Sequence, residues 1–91
     1  MKTTDNGIGE LVRKYREKAG LTQLDLSEKL GYDSPQFVSL FERGLSKIPL
    51  NTIGKISSIL GIPEKIILDT LVETYRSTVK EKMKLTKKAS S

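Results

Sequence analysis

Apolar residues recur along this chain at helical spacing and predict five helices. The first stripe has the pattern i, i+3, i+4, i+7, i+11, which places its members on one face of an α-helix; they are Ile8, Leu11, Val12, Tyr15 and Ala19. Capping and breaking residues separate this stripe from those that follow. The pattern predicts an all-α chain with helices over 8–19, 22–30, 34–42, 51–60 and 63–80.

The second and third helices are short and closely spaced. Thr22 suits the N-cap of the second helix, where Leu26 and Leu30 share an apolar face. Gly31 suits a left-handed C-terminal cap. Ser34 and Pro35 then predict the N-cap and first residue of the third helix. These two helices and the turn between them form a helix-turn-helix pattern.

The third helix has a packing side and a free side. At 3.6 residues per turn, the packing side carries Phe37, Val38 and Phe41, and the free side carries Gln36, Ser39, Leu40 and Arg43. A short helix with small polar and amide side chains fits the major groove of DNA. Gln reads adenine, Ser bonds any base, and Leu40 contacts a thymine methyl. The candidate base-reading residues are Ser34, Gln36, Phe37, Ser39 and Leu40.

From about residue 8 to residue 67 the chain resembles the lambda-repressor-like, or Cro/C1-type (XRE), helix-turn-helix regulators. The resemblance is carried by Arg16, Gly20, Leu21, Thr22, Gln23, Leu26, Gly31, Val38, Phe41, Glu42, Arg43, Gly44, Pro49, Leu60 and Gly61. It implies a compact five-helix DNA-binding domain, here with an extended C-terminal helix. The chain departs from the family in a turn one residue longer before Val38, and in Ser27, where Ala is commonest.

The resemblance also implies roles for individual side chains. Arg16 and Glu42 are expected to form a partly buried ion pair, the alternative being two unrelated surface charges. Gln23, Arg43 and Lys47 are candidate contacts to the DNA backbone. For Gln23, which lies near a helix N-terminus that favours phosphate, the alternative is simple solvation of the first turn.

Composition excludes several kinds of chemistry and favours a polyanionic partner. The 91 residues include no Cys and no His, so disulfides, structural zinc and thiol or imidazole catalysis are not expected. No phosphate loop or metal cluster is apparent, and we expect neither an enzyme nor a cofactor. The formal net charge of +5 is consistent with DNA binding. Without a signal peptide or membrane-spanning run, the expected location is cytoplasmic, with no membrane partner.

The two ends of the chain carry different expectations. Residues 1–7 predict a flexible arm, residues 8–80 the DNA-binding domain, and residues 81–91 a basic, solvated tail. In the last helix, Ile66 and Ile67 lie toward one side. A second apolar stripe predicts a homodimer interface formed by Leu68, Leu71, Val72, Tyr75 and Val79, extended by Met83. The alternative is that this stripe completes the monomer core.

Three functional classes fit the sequence. The first is a sequence-specific double-stranded DNA-binding regulator, a homodimeric repressor that reads a palindromic operator with its third helix in the major groove. The second is an antitoxin or accessory subunit that binds DNA and a protein partner. The third is a protein-binding module on the same fold.

Overall fold

A computed structural model describes residues 7–90, with side chains through residue 86. Within that range the chain forms five helices and no strand: α1 (Gly7–Lys18), α2 (Gln23–Lys29), α3 (Gln36–Glu42), α4 (Leu50–Leu60) and α5 (Glu64–Ser90). The predicted all-α, five-helix fold is therefore confirmed. The arm predicted at 1–7 lies outside the described residues, except for Gly7, which begins α1.

The start of α2 follows the predicted capping chemistry. Thr22 Oγ1 accepts a hydrogen bond from the Asp25 backbone N–H at 2.9 Å, and the Asp25 carboxylate accepts one from the Thr22 backbone N–H at 2.9 Å. This reciprocal capping box satisfies two N–H groups that the helix itself leaves unpaired. The hydrogen bond that the Asp25 carboxylate accepts from the Thr22 backbone N–H, together with the Thr22 side chain, lowers the pKa of Asp25. At the other end of α2, Gly31 has φ +95°, a conformation that other residues rarely adopt.

Two predicted helix boundaries are wrong. Helix α3 begins at Gln36, with Pro35 in the N-cap position rather than inside the first turn. Ser34 Oγ accepts only a long hydrogen bond, 3.4 Å, from the Gln36 N–H. Helix α5 continues to Ser90 rather than ending near residue 80. Residues 81–90 contain no Gly or Pro and several strong helix formers, so nothing local ends the helix where the apolar pattern weakens.

The core lies where α1, α3 and α4 meet, with α2 and the first half of α5 closing it. Its buried apolar side chains are Val12, Leu26, Val38, Phe41, Ile53, Ile56, Leu60, Ile62 and Ile67. These residues come from every helix and from the turn before α5, so the core fixes the angle between α2 and α3. The second half of α5 extends away from this body, and the molecule measures 50 × 26 × 21 Å.

Candidate nucleic-acid interface

A buried ion pair connects α1 to the last residue of α3. Arg16 Nε donates to Glu42 Oε2 at 2.7 Å, and Arg16 Nη2 donates to Glu42 Oε1 at 3.1 Å. Arg16 Nη1 also donates to the Leu21 carbonyl at 2.7 Å, which holds the connection between α1 and α2. The side chains of Arg16 and Glu42 are only 9% and 2% exposed, and the hydrogen bond to Glu42 raises the pKa of Arg16. One guanidinium group thus positions both helices of the helix-turn-helix unit.

Gln23 belongs to the same network. Its Nε2 donates to Glu42 Oε1 at 3.0 Å, so Glu42 receives hydrogen bonds from α1 and from the first residue of α2. From the sequence, Gln23 was expected either to contact a DNA phosphate or to be solvated by water. The hydrogen bond to Glu42 was not predicted. An amide nitrogen carries two N–H groups, so one donor remains for a DNA phosphate. The bond to Glu42 restricts the rotamer from which that donor acts.

Phe37 is a packing residue, which corrects its place among the base-reading candidates. Its ring centroid lies 4.7 Å from that of Tyr32 and 5.2 Å from that of Phe41, in an edge-on arrangement with Phe41. It is half-buried against the core. The longer turn between α2 and α3 supplies Tyr32, whose ring partly covers Phe37. We therefore propose that Phe37 packs within the protein and does not contact a base edge.

The remaining base-reading candidates differ in their exposure. Ser34 and Gln36 are exposed at the N-terminal end of α3, where a recognition helix contacts base edges. Ser39 and Leu40 lie one turn further along and are half-buried. Gln36 therefore presents the only side-chain amide of α3 to solvent. Ser39 and Leu40 lie on the same side of the helix and are less exposed.

Two positively charged residues lie at and just beyond the C-terminal end of α3. Arg43 is exposed, and its Nε donates to the Ser39 carbonyl at 3.3 Å, which lays the side chain back along the helix. Lys47 is exposed in the loop between α3 and α4. Both cations can release counterions from a DNA backbone that runs past this end of α3.

The apolar surface outside the core is larger than the sequence predicted. On α5, Leu68, Val72, Tyr75 and Met83 are 51%, 54%, 73% and 61% exposed, and Val79 is half-buried. Leu71 is half-buried and packs against the core, so it contributes less exposed surface than its neighbours. Leu45 and Leu50 are 66% and 78% exposed and line a groove of about 780 Å³ together with Tyr75. Both are apolar residues in a segment that the sequence pattern placed outside the predicted helices, and the sequence analysis did not use this signal.

Ser27 is a small polar residue of α2 that lies inside the protein. It is fully buried, and its Oγ has no hydrogen-bond partner within residues 7–86. The small side chain therefore serves the packing of α2, while its hydroxyl contributes an unsatisfied polar group.

Comparison with known protein families identifies this arrangement. A helix-turn-helix family model matches residues 12–67, the segment that runs from within α1 through α4 to the start of α5. The chain belongs to this family of Cro/C1-type helix-turn-helix proteins and is a DNA-binding protein of regulatory type. No curated protein and no solved structure shows a significant match to the chain.

The described part of the chain lacks two other kinds of site. Among those residues there is no group of His, Cys, Asp and Glu side chains arranged to hold a metal ion. No helix there combines the length and the apolar character needed to cross a membrane. The exposed side of α3, its flanking cations and the apolar surface on α5 are the features that a function must use.

Proposed function

We propose that this protein is a homodimeric transcriptional repressor that binds a palindromic operator, with one α3 in each of two successive major grooves. Gln36 is the principal base-reading residue, assisted by Ser34, Ser39 and Leu40. Gln23, Arg43 and Lys47 position the protein on the sugar-phosphate backbone. The family supports DNA binding; the residue roles, the dimer and repression are our proposal.

The observation that carries this proposal is the way Glu42 is held. Glu42 accepts hydrogen bonds from Arg16 and Gln23, and it is the last residue of α3. The network therefore fixes α3 relative to α1 and α2 before any DNA is present. A preorganised helix loses little conformational freedom on binding, which favours recognition of a fixed DNA geometry.

Dimerisation is proposed because one α3 contacts too few base pairs for useful specificity. Two copies related by a two-fold axis read a palindrome whose half-site centres lie about 34 Å apart. The exposed stripe on α5 and the adjoining Leu45 and Leu50 provide apolar surface that a second copy can cover. Repression follows as the simplest outcome of occupying a promoter, because a bound dimer blocks access to it.

The exposed apolar surface also favours one alternative. An antitoxin or accessory subunit uses a helix-turn-helix unit for DNA and a second surface for a protein partner. The groove beside Leu45, Leu50 and Tyr75 is open enough for such a partner. The alternative predicts that a co-purifying protein, rather than a second copy, covers this surface.

Selection of bound sequences from a random duplex pool tests the proposal. We expect the selected duplexes to share a palindrome with two half-sites one helical turn apart. Selection of a single unpaired half-site contradicts the dimer, and recovery of no common sequence contradicts specific DNA recognition. A reporter placed behind the selected site then distinguishes repression, which lowers its expression, from activation.

A further inference from the structure

Five apolar residues of α5, four of them exposed and Val79 half-buried, form a straight stripe with an internal symmetry. Their spacings along the helix are four, three, four and four residues, in the order Leu68, Val72, Tyr75, Val79 and Met83. The order of these spacings is nearly the same when it is read from either end of the helix. Reversing the helix about a point next to Tyr75 therefore exchanges Leu68 with Met83 and Val72 with Val79. Helix α5 has 27 residues and is about 40 Å long at 1.5 Å per residue. It offers enough length for a second helix to lie along it.

Charge is distributed unequally along the same helix. The first part carries Glu64, Asp69 and Glu73 with Lys65, whereas the later part carries Lys80, Lys82 and Lys84 with Glu81. All of these residues are exposed. At 3.6 residues per turn, Asp69, Glu73, Lys80 and Lys84 lie on the same side of the apolar stripe. A helix with this pattern repels a parallel copy of itself in the later part.

We propose, on the basis of the dimeric regulator proposed above, that α5 pairs with α5 of a second copy in antiparallel orientation, centred next to Tyr75. In this register Leu68 faces Met83 of the partner subunit, and Val72 faces the partner's Val79. Asp69 and Glu73 then lie beside the lysines in the later part of the partner helix. A two-fold axis repeats each of these contacts. Parallel pairing instead brings the lysine-rich parts together.

The charged residues determine the direction in which the two α5 helices pair more than they determine the affinity of the dimer. Asp69 and Glu73 already contact Lys65 at 3.1 Å and Arg76 at 3.7 Å within α5. Exposed ion pairs of this kind contribute little to stability and exchange partners readily. Arg76 lies near the two-fold axis, where Glu73 reduces its repulsion from the partner's Arg76. Burial of the apolar stripe provides the affinity, and the charges discriminate between the two directions.

Charge reversal tests the proposed direction. We expect D69K/E73K and K80E/K84E each to weaken self-association of the full chain about tenfold at low salt, because attraction becomes repulsion on both sides of the axis. The quadruple variant restores the opposite charges and returns to the wild-type dissociation constant. The matched control, E28K/E81K, changes net charge by the same amount as D69K/E73K, away from this side of α5. In a parallel dimer neither double variant has this effect, so wild-type self-association of D69K/E73K and K80E/K84E overturns the antiparallel direction.

Crosslinking of single introduced cysteines measures the relative direction of the two α5 helices directly, because the chain has no native Cys. A disulfide requires Cα atoms within about 7 Å, whereas an antiparallel pair separates the two copies of position 68 by about 22 Å. We expect a mixture of Leu68→Cys and Met83→Cys proteins to form crosslinked heterodimers under mild oxidation, while neither protein crosslinks to itself. Leu24→Cys on α2, which is also exposed, controls for random collision.

The outcomes separate this inference from the function on which it rests. Self-crosslinking of Leu68→Cys overturns the antiparallel direction and leaves the dimer intact. A wild-type protein that sediments as a monomer, both free and on DNA, overturns the dimer itself. Circular dichroism of each variant identifies any that fails to fold, and Val72→Cys paired with Val79→Cys then replaces a misfolded Met83→Cys pair.

Discussion

Arg16 and Glu42 lie 26 residues apart in sequence and share two hydrogen bonds, Nε to Oε2 at 2.7 Å and Nη2 to Oε1 at 3.1 Å. Both side chains are almost completely buried. The pair joins α1 to the end of α3 and, through Gln23, to the beginning of α2. It is an architectural device, and the position of the DNA-binding helix depends on it.

The first prediction is that Glu42→Ala destabilises the fold by about 3 kcal/mol. Arg16 then remains buried with only the exposed Glu17, 3.9 Å away, as a counter-charge. Arg16→Ala has a similar effect for the reciprocal reason. The free energy of unfolding in urea, measured at neutral pH, gives both values. Arg13→Ala is the control: it removes an exposed pair with Glu17 at 3.3 Å and costs about 0.5 kcal/mol or less. Equal losses for Glu42→Ala and Arg13→Ala contradict the buried-pair account.

The second prediction concerns the buried hydroxyl of Ser27. Its Oγ has no partner in the described part of the chain, so Ser27→Ala removes an unsatisfied polar atom without opening space. We expect a gain in unfolding free energy of about 1 kcal/mol. Ser57→Ala is the matched opposite, because Ser57 Oγ donates to the Ile62 carbonyl at 2.8 Å, and its loss lowers stability. Thermal melts of the two variants should therefore shift in opposite directions.

The third prediction follows from the lowered pKa of Asp25, which results from the hydrogen bonds with Thr22. A carboxyl whose pKa is lower in the folded state stabilises the fold above its unfolded pKa, about 3.9. That contribution is lost as pH falls through the lower, folded pKa. We expect the stability difference between wild type and Asp25→Asn to be constant near neutral pH and to shrink below about pH 4. A difference that does not change on acidification contradicts the capping-box account.

The fourth prediction separates the two kinds of apolar residue on α5. Leu71 packs against the core, whereas Tyr75 is largely exposed. Tyr75→Lys should therefore give a folded monomer, because its charge stays in water until a second copy buries it. Leu71→Asp should unfold the domain. Sedimentation together with circular dichroism distinguishes the two results. Unfolding of Tyr75→Lys places that side chain in the monomer core and contradicts our assignment of the interface.

Sequence patterns predicted the helices well because the determinants are local. Thr22 caps α2, and Gly31 and Gly61 end α2 and α4 in left-handed conformations. The Arg16–Glu42 pair was implied by the family resemblance, since no local rule connects residues so far apart. The start of α3 was missed because Pro35 fits both the N-cap and the first helical position. The end of α5 was missed because apolar periodicity stops before helical propensity does.

The candidate site was harder to predict, because it depends on how the neighbouring helices and turns are oriented relative to one another. Phe37 is on the packing side of α3 by periodicity, and only the longer turn, which supplies Tyr32, decides how fully it is covered. The hydrogen bond from Gln23 to Glu42 depends on the angle between α2 and α3. Leu45 and Leu50 became interface candidates only when the fold placed them beside Tyr75.

The central claim is that Gln36 reads bases while Lys47 contacts the backbone. The most direct test compares the binding free energies of Gln36→Ala and Lys47→Ala on the selected duplex and on a random duplex, over a range of salt concentrations. The account predicts that Gln36→Ala loses about 1 to 3 kcal/mol on the selected duplex alone. It predicts that Lys47→Ala weakens binding to both duplexes and reduces the salt slope by about one. Equal loss on both duplexes for Gln36→Ala contradicts the account, because it places the reading surface elsewhere on the protein.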